Sequence, residues 1–174
     1  MHFHLKKISI KPIISTIFTL LLSSILWITV GDDVAGAVEI NQATRTVPLN
    51  DAGDQVTVSV KQFTTGQRKF NSNCAQCHLD GGTKTNPDVD LGAERLLLAT
   101  PSRNNIKSMI EYLENPTTYD GLTSLEELHP SLARSDLFPK MRELTEEDLI
   151  AISSYILIQP KIVGEQWAGG KPNR

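Results

Sequence analysis

Cys74-Ala75-Gln76-Cys77-His78 constrains this chain more than any other stretch. A C-x-x-C-H run is the attachment sequence of c-type haem. Its two thiols, on one turn of chain, add to the two vinyl groups of one porphyrin, and the adjacent imidazole falls beneath the iron. A zinc site needs further ligands, and the chain holds only two cysteines. A thioredoxin-like redox pair calls for a βαβ setting, which the surrounding pattern lacks. The expectation is one covalently bound haem c, anchored by Cys74 and Cys77, with His78 as proximal iron ligand.

The N-terminus reads as a secretory signal: Lys6, Lys7 and Lys11, an apolar run over 13–30 interrupted by Ser and Thr, then the small-residue site Ala35-Gly36-Ala37. Residues 1–37 are expected to be cleaved, leaving 38–174 as one domain. Export agrees with the motif, because bacterial c-type haem is attached beyond the membrane, where the two cysteines serve as haem anchors rather than as a disulfide. The chain has 17 basic and 20 acidic residues; three and two of these lie in the signal, leaving 14 against 18. An acidic surface argues against nucleic acid and anionic lipid, and suits a basic partner.

Along the remainder, residues 45–60 read as a hairpin, with Thr46-Val47-Pro48-Leu49 and Val56-Thr57-Val58-Ser59-Val60 flanking a turn that contains Gly53. Ser59-Val60-Lys61-Gln62 has the form of a capping box, so a helix carrying Phe63, Gly66 and Phe70 should run up to the haem motif. Gly66 costs such a helix about 1 kcal/mol relative to Ala, which suggests that another helix comes close. Residues 80–90 read as a loop, 91–99 as a short helix, and 102–114 as an amphipathic helix with Ile106, Met109, Ile110 and Leu113 on one face. A brief helical stretch is expected over 124–128. Thr145-Glu146-Glu147-Asp148 opens the last helix, with Leu149, Ile152 and Ile156 inward and Pro160 beyond its end. The tail over 161–174, rich in glycine and bearing Trp167, reads as irregular; Trp167 either packs back on the domain or docks on a partner.

The opposite face of the iron needs a second donor, and once the signal is gone the candidates are His129, Met109 and Met141. Met109 lies on an apolar stripe and reads as core. Pro130 restricts His129 to extended geometry, from which an imidazole can reach across a porphyrin. Met141, just ahead of the last helix, is the rival. The choice matters because a thioether raises the reduction potential and a second imidazole lowers it. Either donor closes the iron, so no enzyme is expected. Neither a G-x-S-x-G elbow nor a phosphate loop is present.

Gly66-x-x-x-Phe70 leading into Cys74–His78, with a final helix built on Thr145-Glu146-Glu147-Asp148-Leu149, resembles class I cytochromes c. Further stretches are similar to the extrinsic low-potential monohaem cytochrome c of photosystem II (the PsbV family) of cyanobacteria and some algae. They are Lys84-Thr85-Asn86-Pro87, Asn115-Pro116-Thr117-Thr118-Tyr119-Asp120-Gly121, His129-Pro130-Ser131-Leu132, Phe138-Pro139-Lys140-Met141-Arg142 and the tail from Gly164 to Lys171. The resemblance implies an all-α class I cytochrome c fold around one haem c, with a small N-terminal β-hairpin and an irregular C-terminal tail. It implies His78 and His129 as the axial iron ligands, Met141 as a packing residue near the haem edge, and Tyr112, Tyr119 and Asn86 as candidate pocket contacts. It also implies the thylakoid lumen, peripheral association through protein contacts with the photosystem II core and other extrinsic subunits, and stabilisation of the oxygen-evolving manganese-calcium cluster with its calcium and chloride. The alternative function is a soluble electron-transfer cytochrome c of the lumen or periplasm.

Overall fold

The computed structural model describes residues 40–169; the expected signal peptide and the last residues of the tail lie outside them. The order of elements is α1 (Gln42–Arg45), β1 (Thr46–Pro48), β2 (Gln55–Thr57), α2 (Val60–Asn73), α3 (Ala93–Leu98), α4 (Ile106–Glu114) and α5 (Glu146–Val163). Short 3₁₀ turns lie at Leu79–Gly81, Pro139–Glu143 and Gly164–Gln166. The class is all-α with one small antiparallel sheet, β1 on β2, in which Val47 pairs with Val56.

The capping box at the head of α2 forms: Ser59 Oγ accepts from the Gln62 N–H at 3.1 Å, and Gln62 Oε1 accepts from the Ser59 N–H at 3.0 Å. The two-strand sheet is too small to stand alone and rests on α5, from which Lys161 Nζ donates to the Thr46 carbonyl at 2.6 Å.

The principal packing is α2 against α5. α5 buries residues all around its axis, among them Leu149, Ile152, Tyr155, Ile156 and Ile158, as a core helix must. Its backbone crosses α2 at Gly66, where an added Cβ would collide with the Ala151 carbonyl, whose carbon would lie 2.6 Å away, and with Tyr155 Cβ at 2.9 Å. Only hydrogen fits there. Astride this crossing stands an aromatic cluster: Tyr155 lies 5.5 Å from Phe63 and 5.2 Å from Phe70, and Trp167 lies 5.7 Å from Phe70. Such pairs add about 0.5–1.5 kcal/mol each beyond the area they bury.

Trp167 thus packs back on the domain. Its Nε1–H donates to the Leu91 carbonyl at 2.9 Å, and its ring covers Gly81, whose φ of +81° and lack of Cβ admit the indole at about 2.5 Å from where a Cβ would stand.

Three expectations are corrected. α4 begins at Ile106 rather than at 102, because Asn105 takes the cap position and bonds the Ser108 N–H at 2.9 Å. Residues 124–128 form no helix: Ser124 bridges Thr117 in an antiparallel contact, and only one turn follows, closed by the His129 N–H on the Leu125 carbonyl at 2.7 Å. α5 passes through Pro160 to Val163 and stops at Gly164 with φ +57°. Proline removes one bond near the end of the helix, while fully buried Ile158 and the packed Ile162 hold the last turn against the core.

An ion pair ties the two long helices: Lys69 Nζ donates to Asp148 Oδ2 at 2.8 Å. Desolvation pushes the Asp148 carboxyl up, but bonds from Lys69 and the Thr145 N–H, with the Lys69 charge, outweigh it and hold the group below the usual carboxylate range. A folded value below the unfolded one gives a contribution that is complete above about pH 4 and lost as pH falls through the folded value. Two outcomes are expected. Gly66→Ala should destabilise the protein by about 2–3 kcal/mol in urea unfolding, despite its better helix propensity. In thermal melts across acidic pH, Asp148→Asn should lose less stability on acidification than the wild type; parallel acid limbs would contradict the role of this pair.

Candidate haem site

The C-x-x-C-H motif coils directly off the end of α2. Cys74 caps the helix with its N–H on the Phe70 carbonyl at 2.8 Å, and the N–H groups of Cys77 and His78 both turn back to the Cys74 carbonyl, at 3.1 and 2.9 Å. One tight turn therefore presents two thiols and an imidazole together. Neither thiol is in a disulfide. Burial, then the neighbouring Cys77 thiol, pushes Cys74 up to about 12, so it stays a neutral thiol rather than a thiolate at neutral pH.

The loop beyond the motif is pinned from three sides. Lys84 donates its N–H to the Cys77 carbonyl at 2.9 Å and its Nζ to the Gln76 carbonyl at 2.6 Å, and the Leu91 N–H bonds the Gly81 carbonyl at 2.8 Å. The Ala168 N–H closes the strap on the Asp80 carbonyl at 2.7 Å. Thr83 Oγ1 lies 3.1 Å from His78 Nδ1, so with Nδ1 engaged, Nε2 is the free nitrogen.

His129 arrives on a separate loop. Its loop hangs from the end of α4: the Leu125 N–H bonds the Pro116 carbonyl at 2.7 Å and the Leu132 N–H bonds the Leu113 carbonyl at 3.1 Å. His129 Nδ1 lies 3.0 Å from the Pro130 carbonyl, an atom that only accepts, so Nδ1 carries the hydrogen and Nε2 keeps its lone pair. Burial, followed by the nearby His78, pushes the His129 imidazole down to about 4, and burial lowers His78 as well. Both rings are thus held neutral, the form that binds a metal.

The two rings face each other with centroids 6.0 Å apart. Two metal–nitrogen bonds of about 2 Å, each continued to its ring centre, span about that length. Residues at hand therefore fit a c-type haem: two unpaired thiols on one turn, and two neutral imidazoles separated by one iron atom's reach.

The remaining candidates sort by position. Tyr112 stands edge-on to His129 with centroids 5.2 Å apart. Tyr119 donates its hydroxyl to the Arg95 carbonyl at 3.0 Å and braces the chain there. Asn86 is exposed in a turn, where its carbonyl accepts from the Val89 N–H at 3.0 Å, and it is not brought to the ring pair. Met109 is in the core, and Met141 is buried in the 3₁₀ turn ahead of α5. Sequence reasoning missed Thr83, for which no spacing signal exists, and Arg103. The guanidinium of Arg103 lies 3.9 Å from the centroid of Tyr112; a lone arginine just ahead of an amphipathic helix was the available sign.

The sequence profile of the family described as Cytochrome c-550 domain matches residues 38–174. Photosystem II extrinsic protein V of Nostoc sp. is 56% identical over 137 residues, which is 79% of this chain and 84% of that protein. The protein of the same name in Trichodesmium erythraeum is 48% identical over 161 residues, covering 92% of this chain and 97% of that one. Among solved structures, cytochrome c549 superposes with a TM-score of 0.71 at 54% identity, over 73% of this chain and 98% of that chain. The PsbV2 cytochrome of Thermosynechococcus elongatus does so with a TM-score of 0.60 at 32% identity, over 71% and 87%. The chain therefore belongs to the cytochrome c-550 family, whose cofactor is one covalently bound haem c.

Proposed function

We propose that this chain is an extrinsic, lumenal cytochrome subunit of photosystem II in which Cys74 and Cys77 tether one haem and His78 and His129 hold its iron. Under this reading residues 1–37 are an export signal and 38–174 the working domain. The observation that carries it is the pair of neutral imidazoles facing across 6.0 Å. The names of the relatives, Photosystem II extrinsic protein V, support the assembly. Among the described residues no helix is long and apolar enough to cross a membrane, in keeping with a peripheral subunit.

When bound, the haem supplies a one-electron ferric–ferrous couple. What this chain's residues do is narrower. Two thioether anchors keep the cofactor on the end of α2. His78 and His129 would hold the iron from its two sides, which would leave no position for peroxide or oxygen, and the protein reads as a non-enzyme. Thr83 and the Pro130 carbonyl engage the two Nδ1 positions and leave both Nε2 atoms free for the iron. A second imidazole in place of a thioether keeps the potential low, which disfavours service as a high-potential carrier and favours a structural role beside the manganese-calcium cluster, retaining its calcium and chloride.

Two experiments test this. His129→Met should raise the reduction potential while covalent haem is retained; an unchanged potential and optical spectrum would assign the second face to another residue. Cells lacking the protein should lose oxygen evolution most severely in media depleted of calcium or chloride, and full activity under that depletion would overturn the assignment to the cluster.

A further inference from the structure

Arg103 is the costliest side chain in this region to bury. Its exposure is 6%, and among the described residues no carboxylate pairs with it. Its Nη2 donates to the carbonyl oxygens of Thr117 at 3.1 Å and Thr118 at 2.9 Å, while its Nε–H meets no acceptor among the described residues. The guanidinium lies against Tyr112, and the same ring meets His129 edge-on. An uncompensated buried cation costs several kcal/mol, which two carbonyls and one aromatic face offset only in part. Packing alone would be served as well by Leu or Met.

We propose that Arg103 is a positioning residue that sets the balance between the two oxidation states of the haem iron. It does so by holding a fixed positive charge near His129 and by clamping the Tyr112 ring against that imidazole. This inference rests on His129 being an iron ligand. Reduction adds one electron to the iron and lowers its positive charge by one, so a second positive charge close by favours the ferrous form. A guanidinium is suited to this, because it does not lose its proton in proteins. Taken in series, separations of 3.9 Å and 5.2 Å put it no more than about 9 Å from the centre of the His129 ring. An iron held by that ring would lie about 3 Å further on, and at an effective dielectric of about 20 a unit charge about 12 Å away is worth roughly tenfold in the ferrous-to-ferric ratio. Arg103 thus moderates an imidazole pair that would otherwise favour the ferric form more strongly.

The test is an optical redox titration of the purified haem-loaded protein with dithionite and ferricyanide, on wild type, Arg103→Gln and Arg103→Lys, with electron paramagnetic resonance of each ferric sample. Arg103→Gln should keep the bis-imidazole resonance signature, while its ferrous-to-ferric ratio at the wild-type midpoint falls about tenfold, or about 59 mV in midpoint. Arg103→Lys, which keeps the charge, should stay within about twofold at neutral pH. An unmoved midpoint in Arg103→Gln, or equal shifts in both variants, overturns the proposal, the second outcome marking a purely structural role. Absence of the bis-imidazole signature in the wild type contradicts the ligand assignment instead, so the two failures are distinct. Should Arg103→Gln not fold, Arg103→Lys decides alone. Its ammonium can shed a proton as pH rises, and its potential must then fall more steeply with pH than that of the wild type; an equal slope refutes the proposal. The titratable side chains facing position 103, Tyr112, Tyr119 and, beyond Tyr112, His129, are common to both proteins and cancel in that comparison.

Discussion

Two imidazoles held 6.0 Å apart by two separate loops are the constraint on which the rest depends. Each ring is engaged at Nδ1 and kept neutral by burial, so each leaves Nε2 free without cost in protonation. The loops that carry them have little regular structure and must be held by the frame. On the His78 side the frame is the end of α2 and the Trp167 strap; on the His129 side it is the end of α4 and the carbonyls it leaves free.

That frame owes its position to one crossing. α2 and α5 approach until the Ala151 carbonyl occupies the space of a missing Cβ at Gly66. The Lys69–Asp148 pair and the aromatic cluster of Phe63, Phe70, Tyr155 and Trp167 flank the same contact. Because Cys74 follows Phe70 by one turn, any shift of α2 along α5 would move His78 with it.

Much of this was legible in the amino acids. C-x-x-C-H states its own chemistry, the Ser59–Gln62 and Thr145–Asp148 caps mark two helix starts, and Gly66 in an otherwise good helix announces the crossing. The choice between His129 and Met141 was not legible from spacing, because both sit in loops whose path is set by contacts far away in sequence. Helix ends were misread for the same reason. Pro160 stops an isolated helix, but core residue Ile158 and Ile162 packed against the core carry α5 on to Gly164. Arg103 escaped notice because nothing local distinguishes a buried arginine from a solvated one; its burial arises where the chain over 115–121 folds back across it.

The most direct measurement is near-infrared and electron paramagnetic resonance spectroscopy of the purified ferric protein at neutral pH. Two imidazoles on the iron predict a low-spin spectrum with no methionine-to-iron charge-transfer band. A thioether band, or a high-spin signal from an open axial face, would contradict the ring pair as the centre of this molecule.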